Sequence, residues 1–87
     1  MKKEKYTLTE KSQLSAQNAA KIVALCKEYT EEKIIFHSND RLGDAHSLFN
    51  IINLEAKQGD ELLIEVEGPK EEKVIKKIIN TLKELEI

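Results

Sequence analysis

A single cysteine in 87 residues excludes an internal disulfide and cannot by itself build a zinc site. Cys26 falls on an apolar helical stripe, where a small buried thiol is the plain expectation. No apolar run approaches the roughly 20 residues needed to span a bilayer. The opening Met-Lys-Lys-Glu-Lys leads straight into a strand pattern with no apolar stretch behind it, so no secretory signal is expected. A basic excess is missing as well. The formal net charge is −2, which argues against a general nucleic-acid footprint. No repeat, linker or low-complexity segment appears. These absences predict a cytoplasmic protein with no membrane span, no metal, no cofactor and no direct nucleic-acid partner.

What remains is a chain of 40% apolar and 34% charged residues, enough for a small globule and read as one domain over residues 1–87. Lys5 to Thr9 alternates as a half-buried strand, with Tyr6 and Leu8 on one face. A helix is predicted from Ala16 to Tyr29, with an apolar stripe through Ala19, Ile22, Val23 and Cys26. The Ala residues near its start suggest that this end packs closely. Ile34 to Ser38 is a second strand, Asn39-Asp40 a tight turn, and Arg41 to Ala45 a short return at a sheet edge. Ser47 opens a short helical pattern reaching Leu54. Glu61 to Glu67 is the strongest strand, with Leu62, Ile64 and Val66 facing one way. Gly68-Pro69 begins the last helix, with Pro suited to the first helical position. Four strands with helices on one face make an α+β open-faced sandwich.

Function turns on the loop and helix start Lys11 to Ala20. Ser15 stands where an N-cap belongs, and its hydroxyl could accept from the free N–H groups of the first turn. A helix N-terminus is also an anion site in principle. Between Gln13 and Ala20, however, there is no His, Cys, Arg, Lys or carboxylate. An anion there would meet only backbone dipoles and neutral side chains.

The order of elements, together with Ala45-His46-Ser47-Leu48-Phe49-Asn50-Ile51 through Leu54, Lys57-Gln58-Gly59, Glu67-Gly68, Thr7-Leu8-Thr9 and Leu14 to Ala20, resembles the HPr family. These are the histidine-containing phosphocarrier proteins of the sugar phosphotransferase system. The resemblance covers nearly the whole chain. It implies a four-stranded antiparallel sheet of order 1-4-2-3 covered on one face by three helices. It also places the family's phosphoacceptor His, and the Arg and Pro two and three positions on, at Ser15, Gln17 and Asn18. None of the three is retained. A serine ester donates phosphate far less readily than a phosphohistidine, and Gln17 supplies no cation for the phosphoryl oxygens. His37, in a strand, and His46, expected to be solvated, do not replace the missing imidazole.

The resemblance further implies a regulatory phosphorylation at Ser47, the position of a serine that a dedicated kinase modifies in Gram-positive members. A docking patch at Leu48, Phe49 and Ile52 accompanies it, with Ile51 and Leu54 turned to the core. Glu55 replaces a usual Gly, and Lys33 is an extra residue. Crh, a catabolite-repression branch of the family, lost its His and kept its serine. Two readings follow: a non-enzymatic regulatory module switched at Ser47, or a silent competitor that docks to phosphotransferase components through the apolar patch. A third, a carrier using Ser15, is opposed by the chemistry above. The partners implied are phosphotransferase proteins, a serine kinase or a transcription regulator. On the sheet face away from the helices, Ile35 and Leu63 are expected to point outward as a cross-strand pair. That leaves either a monomer or a weak homodimer, through this face or by exchange of the first strand.

Overall fold

A computed structural model of the protein describes residues 1–9 and 14–87, so Lys11, Ser12 and Gln13 of the loop singled out above lie outside the described residues. The elements are β1 (Lys2–Thr7), α1 (Ala16–Cys26), β2 (Lys33–Ser38), β3 (Arg41–Asp44), α2 (Leu48–Ile52), β4 (Glu61–Glu67) and α3 (Glu71–Glu84). The four strands form one antiparallel sheet in the order β1-β4-β2-β3. This is the open-faced sandwich the sequence predicts. Strict alternation in β4 and β2 produces it: Leu62, Ile64, Val66, Ile34 and Phe36 are all fully buried beneath the helices. From the other side Ile22, Val23, Val74, Ile78 and Leu82 close the core, the apolar stripes of α1 and α3 at helical spacing.

Several boundaries differ from expectation for identifiable reasons. β1 runs from Lys2 to Thr7 rather than Lys5 to Thr9. Its first residues pair with β4 (Lys2 opposite Val66, Glu4 opposite Ile64), and at a sheet edge backbone pairing tolerates polar side chains that carry no strand signal. α1 ends at Cys26, not Tyr29. Glu28 and Tyr29 donate three residues back, to the Leu25 and Cys26 carbonyls (3.1 and 3.0 Å), so the chain tightens out of the α-helix. Ala16 and Ala20 are exposed and only Ala19 is buried, so the close packing at this end is a single-residue contact.

Pro69 is not the first helical residue of α3, because Lys70 occupies the N-cap. The Lys70 N–H donates to the carboxylate of Glu32, a residue only 4% exposed, at 3.0 Å. The Gly68 N–H donates back to Glu71 at 3.3 Å. The start of α3 is thus held by a carboxylate from the loop before β2, a partner far away in sequence.

The turn Asn39-Asp40 has both residues at positive φ (53° and 60°), as a tight hairpin of primed type requires. The Asn39 amide reaches across to the carbonyls of Leu54 and Glu55 and to Asp60 (3.1–3.3 Å). Asp60 also accepts from the Lys57 N–H at 2.9 Å. The Lys57 N–H first, then the Asn39 amide, holds the Asp60 carboxyl below its ordinary value. A depressed carboxyl contributes stability that is present above the unfolded-state value and is lost as pH falls through the folded one. Asp60→Asn is therefore expected to melt below the parent at neutral pH, with the gap closing below about pH 3.8. Thermal melts of both proteins across that range check it.

Glu55, just past α2, sits at φ 53°, a conformation that costs an L-residue roughly 1 kcal/mol and costs Gly little. Its ion pair with Arg41 (3.5 Å) is exposed and contributes little. Glu55→Gly is expected to leave stability unchanged or raise it by up to about 1 kcal/mol. Denaturant melts measure the change, and a clear loss would show that the carboxylate matters more than the backbone.

Candidate functional site

Two helix starts carry the residues of interest. At the first, Ser15 is extended (φ −67°, ψ 167°) and its Oγ accepts from the Asn18 N–H at 3.3 Å. The Ser15 carbonyl accepts the first helical bond, from Ala19, at 2.8 Å. The residue is an N-cap in the ordinary sense. Gln17 is exposed and Asn18 half-buried, so the first turn presents amides and a hydroxyl but no imidazole and no cation.

At the second start, Ser47 (φ −120°, ψ 118°) caps α2, its Oγ accepting from the Asn50 N–H at 3.4 Å. The helix has five residues, too short to persist without tertiary support. That support is visible. Ile51 and Leu54 are fully buried. Arg41 donates to the Asn53 carbonyl at the helix end (2.8 Å). β3 comes so close at Gly43 that a Cβ built there would stand 2.6 Å from the Asn50 carbonyl oxygen. Held this way, α2 turns outward Phe49, 77% exposed, and Leu48, 36% exposed. Ile52 is half-buried against the core and forms the rim of the patch.

His46 departs from expectation. Its ring is only partly exposed and is held at both nitrogens: Nδ1 lies 3.1 Å from an Asp44 carboxylate oxygen and Nε2 lies 3.1 Å from the Tyr29 carbonyl. Asp44 also accepts from the His46 N–H at 2.8 Å. The ring ties the turn before Ser47 to the turn that follows α1. His37 lies on the outer sheet face, Nε2 at 3.3 Å from Glu65. Neither ring belongs to the first turn of α1. Cys26 is fully buried, and burial, aided by the Asp44 charge, pushes its thiol up to about 12. It is chemically inert at neutral pH.

Sequence reasoning missed Asn39, Arg41 and Glu32 as the polar residues that position α2 and α3. The Asn-Asp turn was the one available signal, and it named the turn without its long-range partners. Among the described residues no three of His, Cys, Asp and Glu gather to hold a metal ion. No helix there is long and apolar enough to cross a membrane.

A four-stranded antiparallel sheet of order 1-4-2-3 under three helices is the architecture of HPr-like proteins. The family model described as the PTS HPr component phosphorylation site matches residues 2–84, and the chain belongs to that family. Among solved structures it is similar to HPr-C-His of Thermoanaerobacter tengcongensis (27% identity, TM-score 0.85, covering 99% of this chain and 94% of that one). It is also similar to the histidine-containing phosphocarrier protein of a Mycoplasma (22% identity, TM-score 0.91, 98% and 96% covered). A third likeness is to Crh of Bacillus subtilis, described as a swapped dimer (20% identity, TM-score 0.74, 84% and 83% covered).

Proposed function

We propose that this HPr-family chain is a cytoplasmic, non-enzymatic regulatory module that binds other proteins, carries no phosphohistidine, and is switched by phosphate at Ser47. The observation that carries the reading is the first turn of α1. There the oxygen of Ser15 serves as a cap, and Gln17 and Asn18 stand where a cation and a rigid Pro would otherwise prepare a phosphoryl site. Ser47 is different. It is half-buried at the edge of an exposed apolar pair, and a phosphate there would change the charge of a docking surface without having to be passed on. Partners of the kinds the family implies are phosphotransferase components, a serine kinase and a transcription regulator.

Treatment with a serine kinase of the family, followed by mass spectrometry, tests the switch. Modification of Ser47 with changed partner binding is the expected result. If the kinase leaves Ser47 untouched, the second reading gains. In that reading Leu48, Phe49 and Ile52 dock to phosphotransferase components and the protein acts as a silent competitor, which the 77% exposure of Phe49 favours.

Charge at Ser47 is expected to be tolerated by the fold. An Asp there can still accept the Asn50 N–H, and a negative charge at a helix start is favourable by about 0.3–1 kcal/mol. Ser47→Asp should therefore melt within a few degrees of the parent. A markedly lower midpoint would identify Ser47 as a structural cap and nothing more.

A further inference from the structure

Among the described residues no element covers the sheet face turned away from the helices. Its outward residues form a regular grid. From the first edge the columns are Lys3 and Lys5 on β1, Glu61, Leu63, Glu65 and Glu67 on β4, Lys33, Ile35 and His37 on β2, and Leu42 with Asp44 on β3. The register sets Lys3 beside Glu65, Glu65 beside Ile35 and Ile35 beside Asp44. One row further along, Lys5, Leu63, His37 and Leu42 follow each other. Ile35 and Leu63 are therefore diagonal neighbours rather than the direct pair expected from sequence. Leu42, which sequence reasoning did not single out, is 65% exposed on this same face. Ile35, Leu42 and the rim residues Lys33, His37 and Glu65 surround a hollow of about 230 Å³.

We propose that a second copy of this chain docks here, sheet on sheet, about a two-fold axis parallel to the strands and lying between β4 and β2. The charges select that axis. Rotation about it sets the β4 column of one copy over the β2 column of the other, and β1 over β3. Glu67 then faces Lys33 of the second copy, Lys3 faces its Asp44, and Leu63 and Ile35 fall in the middle. An axis across the strands would instead stack the glutamates of β4 on themselves, and like charges held face to face are costly. Self-complementarity of this kind is what an isologous contact requires. Four strands about 4.8 Å apart and five residues deep at about 3.4 Å present a small face. Two copies would bury on the order of 1,000 Å² in total, at the low end for a specific contact. The dimer is accordingly weak, and aligned sheet packing at roughly 30° suits it.

Sedimentation equilibrium of the full chain up to about 1 mM, where weak contacts populate, tests the proposal. The parent is expected to show reversible monomer–dimer association. Lys33→Glu and Glu67→Lys should each weaken self-association about tenfold or more, since each sets like charges opposite one another twice across the axis. An equimolar mixture of the two variants should associate again, because every facing pair is then of opposite sign. No change confined to one molecule's own stability can produce that recovery. Leu42→Lys, at an exposed position that this axis sets opposite Lys5 of the second copy, should abolish dimerisation while its thermal melt stays near the parent's. A parent that remains monomeric throughout overturns the proposal. So does a dimer indifferent to these substitutions and to Ile35→Thr/Leu63→Thr, which would place the contact at the α2 patch or in an exchange of β1.

Discussion

Replacing Gly43 by Ala is expected to cost the protein roughly 2–3 kcal/mol and to displace α2. The added Cβ would stand 2.6 Å from the Asn50 carbonyl oxygen and 3.0 Å from its carbon. Both atoms belong to helix backbone, so no side chain can rotate out of the way. Relief requires either the strand or the helix to move. β3 has limited freedom, since Phe36 and Gly43 pair directly in the sheet and Phe36 is fully buried. The helix is the weaker element, with five residues and anchors at Ile51 and Leu54. Its displacement would lengthen the Arg41 bond to the Asn53 carbonyl and re-aim Leu48 and Phe49. In a domain of this size a loss of 2–3 kcal/mol lowers the melting midpoint by about 10–20 °C. Thermal and denaturant melts check the first effect, and partner binding or amide exchange in α2 checks the second. An Ala variant as stable as the parent would mean that α2 can retreat at no cost and is not clamped by β3.

Elements whose side chains alternate or recur at helical spacing were legible directly. β4 was read with its observed ends, and the buried faces of β4, β2 and α3 follow from Leu62, Ile64, Val66, Ile34, Phe36, Val74, Ile78 and Leu82 alone. Ser15 and Ser47 were legible as caps because capping is a local affair between a hydroxyl and an N–H three residues on. What escaped depends on atoms distant in sequence. Lys2 to Glu4 precede the alternation that begins at Lys5 and carry no strand signal of their own; they are strand because β4 offers an edge. Pro69 lost the first helical position because Glu32 reaches the Lys70 N–H. His46 is expected from sequence to be solvated, yet the Tyr29 carbonyl, in the turn that follows α1, lies 3.1 Å from its ring. Leu42 went unremarked because one exposed Leu in a short segment is unexceptional; its meaning comes only from the neighbours that the register supplies. Periodicity tells which face a residue takes, and the partner across the gap has to be seen.

The largest functional change is expected from rebuilding the first turn of α1. With phosphoenolpyruvate and the general phosphotransferase enzyme the parent should acquire no acid-labile phosphate, whereas Ser15→His/Gln17→Arg/Asn18→Pro should acquire it. Each substitution has a separate physical task. The imidazole supplies a nitrogen that takes phosphate near neutral pH and releases it again, which a serine hydroxyl does poorly. The guanidinium supplies a fixed, forked cation for the phosphoryl oxygens, where Gln17 offers one neutral amide. Pro at position 18 removes an N–H that the Ser15 hydroxyl now engages at 3.3 Å, and once that hydroxyl is gone the loss is small. A Pro is tolerated in the first turn of a helix. Because Gln17 is exposed, the longer Arg meets no packing obstacle. Ser15→His alone should be phosphorylated more slowly than the triple variant, by a factor of about ten if the cation contributes about 1.4 kcal/mol to the transfer. Mass spectrometry with acid and alkali treatment distinguishes a phosphohistidine from a phosphoserine. A parent that already carries an acid-labile phosphate would sink the proposed regulatory role. A triple variant that folds like the parent and remains unphosphorylated would show that the donor enzyme no longer docks on this chain.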